Sequence, residues 1–211
     1  TLAIGLIAHW QSKPVVVSAG FGLDTIDVQV SAAGTVELLQ RAFAADADGN
    51  QSAARVLMEI AHATDARTPV PAMFLTYWYG GQGHTAAAQR WAAERDRRLG
   101  PETPTYIALL ARFLDTRGAP VLERFKLESL LLERHPDAAL IRYAHAHYHL
   151  QRNERAAALG QLRQIDLRAV GRRRAPMVVG DLASLGDLAA AERALSSAGD
   201  ALDASGRAYA Q

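Results

Sequence analysis

Three histidines alternate along one short stretch and are the residues best suited to chemistry. His145, His147 and His149 occupy every second position. On a helix, His145 and His149 lie four residues apart on one face and could chelate a divalent metal ion, whereas His147 points away toward the packing side. The nearest carboxylate, Glu154, lies beyond the next turn. We therefore predict no metal site, and a histidine-ligated metal-binding protein stays as an alternative.

The segment Asp46–Asn50 has the composition of a calcium-binding loop. A helix-loop-helix calcium site needs glycine as its sixth residue and a bidentate glutamate as its twelfth. Counted from Asp46, those positions hold Gln51 and Leu57. The segment is therefore predicted to be a polar turn that ends a helix.

Motifs for covalent or nucleotide chemistry are missing from the sequence. There is no cysteine, no Gly-x-Ser-x-Gly, no Gly-x-x-x-x-Gly-Lys and no His-Glu-x-x-His. These motifs would supply a nucleophile, a phosphate-binding loop or a catalytic zinc site. We predict that the protein has no catalytic residues, needs no cofactor and is not an enzyme.

The charge balance limits the classes of partner. The chain carries 23 Lys and Arg against 22 Asp and Glu, a net charge of +1. No overall field therefore attracts it to nucleic acid or to an anionic membrane, and no nucleic-acid partner is expected. Arg172–Arg174 form a basic ridge with Arg163 and Arg168. Two interpretations of this ridge stay open, a solvated helix end or an anion site.

The elements that position these residues repeat along the chain. Turn-forming residues recur in steps of 34, 35, 33 and 35, at Gly49, Gly83, Gly118, Gln151 and Gly186. Around most of these turn residues, the positions five residues later and seven residues earlier hold small side chains. Around Gly49 they are Ala54 and Ala42. Small residues at both places let the two helices of a hairpin approach closely. This period predicts consecutive helix-turn-helix units, each unable to bury its apolar face alone.

The pattern resembles the tetratricopeptide repeat, a unit of two antiparallel helices joined by a Gly-x-x-x-x-Ala turn. The best copies are Leu185–Ala191 and Gly83–Ala88, whereas Gln151 replaces the turn glycine and Glu123 a small residue. The resemblance covers residues 35–205, with units that start near Thr35, Pro69, Pro104, Asp137 and Arg172. It implies an all-α fold, a right-handed α-solenoid of about five hairpins.

The resemblance also implies a binding surface. In this family, the first helices of successive units line a concave groove that takes an extended peptide or a partner helix. By position in the repeat, the partner-binding residues would be Tyr77, Arg112, Arg142, His145, Tyr148 and His149, with Arg173 and Met177 further on. Aromatic and arginine side chains dominate interface energies, and arginine pairs with a carboxylate through two parallel hydrogen bonds. The expected partner is a protein or peptide with an acidic or C-terminal segment.

The first 32 residues differ from the repeats. The apolar stretch Leu2–Trp10 is shorter than the roughly 20 residues that span a bilayer. It is either the end of a membrane helix, with Trp10 and Lys13 as interfacial anchors, or an amphipathic cap on the repeats. Pro14–Val17 and Ile26–Val30 carry strand signals and predict a short extended segment. The predicted organisation is a leader at 1–32, a repeat domain at 33–199 and a cap or linker at 200–211.

Two functions are compatible with this organisation. The first is a non-catalytic protein–protein interaction module that uses the groove. The second is the extracytoplasmic sensory domain of a membrane-anchored bacterial regulator or kinase, attached through the residues preceding Trp10. A chain without cysteine suits the periplasm and the cytosol equally. The second function would place the domain on the periplasmic face of a bacterial inner membrane.

Overall fold

The structure, a computed structural model, describes residues 20–23, 30–116 and 118–198. Within these ranges the chain forms eleven helices and no strand, so the predicted all-α class is confirmed for this part of the protein. The helices are α1 (Thr35–Ala47), α2 (Gln51–Thr64), α3 (Val70–Gly81), α4 (Thr85–Arg98), α5 (Thr105–Asp115), α6 (Val121–Arg134), α7 (Ala139–Gln151), α8 (Arg155–Leu162), α9 (Leu167–Val170), α10 (Ala175–Ser184) and α11 (Leu188–Ala198).

Several expectations about the termini lie outside the described residues. They are the apolar stretch 2–10, the strand 14–17, all of the strand 26–30 except Val30, and the tail 200–211. Among the helices that are described, none has the length and apolarity that crossing a bilayer requires.

The long helices pack as hairpins of consecutive partners. The five hairpins are α1/α2, α3/α4, α5/α6, α7/α8 and α10/α11, and α2 and α6 also pack against the helices that follow them, α3 and α7. Ala42 and Ala54 are fully buried in the first hairpin, where small side chains allow the two helices to approach closely. The short helix α9, which the repeat pattern did not predict, contacts α7, α10 and α11.

Glycines with left-handed backbone form four of the five hairpin turns. Gly49, Gly83, Gly118 and Gly186 have φ angles between 77° and 86°, which glycine adopts without steric cost. The fourth turn differs, because Gln151 is the last residue of α7 and Asn153 takes the left-handed conformation, with φ 59°. Asparagine tolerates this region better than most residues, which explains how the hairpin turns without a glycine.

Helix α3 lies at the centre of the core. It packs against α2, α4 and α5, and Val70–Leu75 are all buried, together with Trp78. The Phe74 ring meets the edges of Phe43 at 4.7 Å and Phe21 at 5.0 Å. A helix covered on several sides needs apolar residues around most of its circumference, and this is the composition of α3.

Asp65 fixes the chain between α2 and α3 to the residues that lead into α1. Its side-chain oxygens accept hydrogen bonds from the backbone N–H groups of Ser31, Ala32, Arg67 and Thr68, and from the hydroxyl of Ser31 at 2.7 Å. The carboxylate is completely buried. One side chain therefore satisfies backbone donors from two separate connecting segments.

The first hairpin meets the segment that leads into α10. Asp46, near the end of α1, pairs with Arg174 at 3.2 Å and Arg173 at 3.5 Å, and the Arg173 N–H donates to the Ala47 carbonyl at 3.3 Å. Arg172 lies 3.8 Å from Asp48. The acidic turn thus pairs with Arg172–Arg174 of the basic ridge singled out in the sequence, whereas Arg163 pairs with Asp187. We call this contact, formed by Asp46, Asp48 and Arg172–Arg174, the closing contact.

Candidate functional site

A cavity of about 450 Å³ lies between the hairpins. Its walls come from the first helices of four hairpins, α3, α5, α7 and α10, and also from α6 and the turn before it. The lining residues are Phe21, Tyr77, Phe113, Thr116, Gly118, Ala119, Val121, Arg124, Glu128, Leu140, Tyr143, Ala144, His147, Tyr148, Gln151, Arg174 and Met177. Ligand cavities typically span roughly 300–1,000 Å³ and combine apolar walls with a few polar groups.

Large apolar side chains in this cavity are accessible to solvent. Met177 on α10 is 47% exposed and Val121 on α6 is 50% exposed. Tyr148 stacks on Phe125 at 4.0 Å, which fixes one aromatic wall. A ligand that covers Met177 and Val121 would gain from removing apolar surface from water.

An ion pair borders the cavity on α6. Arg124 donates to Glu128 at 3.0 Å, and its guanidinium lies 5.2 Å from the centre of the Phe113 ring. Glu128 is only 1% exposed, and its second oxygen lies 3.4 Å from Nδ1 of His145. Arg124 therefore binds one oxygen of a buried carboxylate at the wall, whereas the second oxygen has no hydrogen bond within the described residues.

A hydrogen-bonded group connects α7 to α10. The Tyr143 hydroxyl donates to Asp181 at 3.0 Å, and Nε2 of His147 lies 3.0 Å from the same carboxylate oxygen. The carboxylate orients the imidazole of His147, whose side chain is 42% exposed. Tyr143 and His147 line the cavity, and their polar atoms can donate hydrogen bonds to a ligand or accept them from it.

Positive charge predominates where the cavity reaches the closing contact. Arg173 and Arg174 share the single carboxylate of Asp46. Burial and the nearby Arg174 guanidinium lower the pKa of Arg173, against the opposing influence of Asp46 and Tyr77. Two guanidinium groups on one carboxylate leave a local excess of positive charge, which favours an anionic group on a ligand.

The structure brings two of the six sequence-predicted binding residues to the cavity, Tyr77 and Tyr148. Arg112 is exposed and does not line it. Arg142 is buried and donates to the carbonyl of Pro136 and, at 2.7 Å, to Gln161, and burial lowers its pKa although Asp137 opposes this.

His145 and His149 share one face of α7 as expected, with ring centroids 5.2 Å apart, but this face does not line the cavity. His145 is buried and stacks on Phe125 at 4.5 Å, and His149 bonds to Glu154 at 2.8 Å. His147, which the sequence placed on the packing side, lines the cavity instead. The expectation for His147 was wrong because the buried face of α7 is rotated by about one residue, roughly 100°.

Sequence reasoning missed several lining residues. On α7, Tyr143, His147 and Gln151 follow one another at four-residue spacing, so this polar face was a signal that could have been read. Arg124 and Glu128 share the same spacing on α6. Phe21 had no such signal, because nothing in a Gly-Phe-Gly turn indicates which helices it contacts.

No group of three or more histidine and acidic side chains in the described ranges is arranged to hold a metal ion. Comparisons with models of known protein families, with curated protein sequences and with solved structures find no match for the chain.

Proposed function

We propose that this chain is an α-solenoid of tetratricopeptide-like hairpins that binds a partner protein or peptide without catalysing a reaction. The turn spacing supports this, because Gly49, Gly83, Gly118 and Gly186 all form hairpin turns. The helix starts support it too, since α1, α3, α5, α7 and α10 each begin within three residues of the unit starts expected from the repeat.

The observation that carries the proposal is the composition of the cavity wall. The first helices of four hairpins contribute to it, and they present tyrosine, methionine and arginine side chains in one place. Tyrosine and arginine are enriched among the residues that dominate binding energy at interfaces. A peptide or a protruding segment of a partner would bury Met177 and Val121 and use the tyrosine hydroxyls as hydrogen-bonding groups.

The proposed partner carries an acidic group. The excess positive charge of Arg173 and Arg174 over Asp46 supports this. A side-chain carboxylate or a C-terminal carboxylate placed beside these guanidinium groups would form charge-assisted hydrogen bonds.

A binding experiment with matched variants tests the proposal. Met177→Glu places a charge in the cavity, and Leu188→Glu places the same charge at a 63% exposed apolar position that does not line it. We expect Met177→Glu and Tyr148→Ala to reduce capture of a partner from a host extract by at least about tenfold, because each removes apolar contact and the glutamate also repels an acidic group on the partner. Leu188→Glu should leave capture unchanged.

Thermal unfolding provides the control for folding. All three variants should melt within a few degrees of the natural protein, because the replaced side chains are partly or largely exposed. Equal capture by Met177→Glu and Leu188→Glu would contradict the proposal. A photoactivatable residue at position 177 should cross-link a partner that occupies the cavity.

A sensory domain of a membrane-anchored regulator is the second candidate. The position of Phe21 favours it, because this residue belongs to the leader at 1–32 and lines the cavity. A ligand in the cavity would therefore contact the leader itself. The genomic sequence upstream of Thr1 tests this function, since it requires a complete hydrophobic span there.

A further inference from the structure

Residues 20–23 pack among the helices as a short non-helical peptide. Phe21 is 5% exposed and Leu23 is completely buried. The segment contacts helices from different hairpins, through Phe74 on α3, Tyr106 on α5 and Leu140 on α7. It therefore lies where several hairpins converge, at the edge of the cavity that Phe21 helps to line.

Two donors from the helices hold the backbone of this segment. The Leu140 N–H, at the start of α7, donates to the Gly20 carbonyl at 2.7 Å, and the Tyr106 hydroxyl donates to the Phe21 carbonyl. The first N–H groups of a helix have no acceptor within the helix. Here one of them binds a peptide carbonyl, as it would in recognising a separate peptide.

The site accepts only glycine on both sides of Phe21. Gly20 has φ +65°, and a Cβ there would overlap the Ala169 carbonyl oxygen. Gly22 has φ +77°, and its Cβ would lie 2.8 Å from the Tyr106 hydroxyl and 2.9 Å from the His135 Cβ. Other residues would meet both a steric clash and an unfavourable backbone conformation.

The Phe21 ring fills an aromatic site between the core and the cavity. Its edge contact with Phe74 at 5.0 Å and 72° is a favourable aromatic geometry. Another aromatic ring could make the same contact, whereas an aliphatic side chain would lose it. The site thus distinguishes an aromatic residue between two glycines, followed by a buried leucine.

We propose that the helical array is a receptor for a glycine–aromatic–glycine–leucine peptide, and that residues 20–23 are its internal competitor. The inference rests on the proposed function and adds the chemistry of the partner and a means of regulation. A partner segment with this pattern binds after residues 20–23 leave the site.

Tethering makes the internal segment a strong competitor. A segment linked by a short chain has an effective concentration on the order of millimolar at its own site. A separate peptide can bind only those molecules whose site is empty. Its apparent affinity for the natural protein is therefore its intrinsic affinity multiplied by the fraction of such molecules. A substitution that removes the internal segment should restore the affinity.

The test uses the full chain and a fluorescent synthetic peptide with the sequence of residues 18–24, Ser-Ala-Gly-Phe-Gly-Leu-Asp. In the Gly20→Ala variant the overlap with Ala169 prevents the chain's own segment from docking. We expect fluorescence anisotropy to show binding to this variant at least about tenfold tighter than to the natural protein. The same peptide carrying Phe21→Ala should not bind.

Equal affinity for the variant and the natural protein would overturn the inference. So would a lack of binding to a Gly20→Ala chain that keeps its helical circular dichroism. If Gly20→Ala unfolds, the full-length Phe21→Ala variant replaces it in the same titration. Unfolding of both variants also contradicts the inference, because residues 20–23 would then be an inseparable part of the core.

The outcome is independent of the cavity experiment. Failure of the peptide titration, with loss of partner capture in Met177→Glu, would remove the internal competitor and leave the proposed function standing. Peptide binding to Gly20→Ala, with capture unaffected by Met177→Glu, would support the internal competitor and remove the cavity as the binding site for the partner.

Discussion

Asp65 shows at the residue scale how one buried carboxylate can organise two connecting segments. Burial by itself raises the pKa of Asp65, but the hydrogen bonds from the Ser31 hydroxyl and from the backbone of Arg67, Ala32 and Ser31 outweigh this and lower it. A carboxyl group whose pKa is lower in the folded state stabilises that state when it is ionised. The donors around Asp65 therefore favour the charged form in the folded protein.

Asp65→Asn should lower the free energy of unfolding by about 2 kcal/mol at neutral pH. The substitution replaces a charged acceptor with a neutral amide, whose NH₂ group would face backbone N–H donors. The contribution of Asp65 is fully present above about pH 5 and is lost as the pH falls through its lowered pKa. The difference between the natural protein and the variant should therefore shrink below about pH 4, as measured by urea unfolding.

Glu133→Gln is the matched control, since Glu133 is exposed and should change stability by less than about 0.5 kcal/mol. A stability difference for Asp65→Asn that stays constant from neutral pH to pH 3 would contradict the assignment.

At the scale of elements, the closing contact attaches α1 to the segment that leads into α10. Asp46 is 5% exposed, and two guanidinium groups depend on its carboxylate. Gly171 makes the approach possible, because a Cβ there would lie 2.5 Å from that of Ala47 and φ is +75°. The contact therefore needs a small residue on one side and a buried charge on the other.

Asp46→Ala should cost about 3 kcal/mol, because it leaves partly buried guanidinium groups without their carboxylate. Chemical denaturation of Asp46→Ala, Arg174→Met and the double variant should give a coupling energy of at least about 1 kcal/mol.

The exposed pair Glu37–Arg41, at 3.9 Å on the same helix, is the control. Glu37→Gln should change stability by less than about 0.5 kcal/mol. Additive effects of Asp46→Ala and Arg174→Met would argue against the pairing.

At the scale of the whole molecule, the helical hairpins could be predicted from the period of the sequence. Four of their turns could be predicted because a turn residue with positive φ is usually glycine. The turn at Asn153 was displaced by two residues from the expected Gln151, because α7 extends through Gln151. Helix α9 spans only Leu167–Val170, too few residues to show a period. The position of His147 could not be settled either, since one residue of rotation moves a side chain to a different face.

The closing contact predicts that distant helices unfold together. In an open array each unit contacts only its neighbours, whereas here α1 also contacts the chain before α10. In Asp46→Ala, amide hydrogen exchange should therefore accelerate in both α1 and α10, by similar factors, and less in α4. Mass spectrometry of exchanged peptides provides the measurement. Faster exchange confined to α1 would show that the two ends are independent.

The same salt bridge also has a consequence for the order of folding. Asp46 and Arg174 are 128 positions apart in the chain, and a loop of that length is entropically costly to close before other contacts exist. The hairpins, whose pairings are local, can form first and bring the two termini of the array together. We therefore expect the ionic junction to form in the last stage of assembly, so that its principal effect is to slow the loss of the native state rather than to hasten its formation.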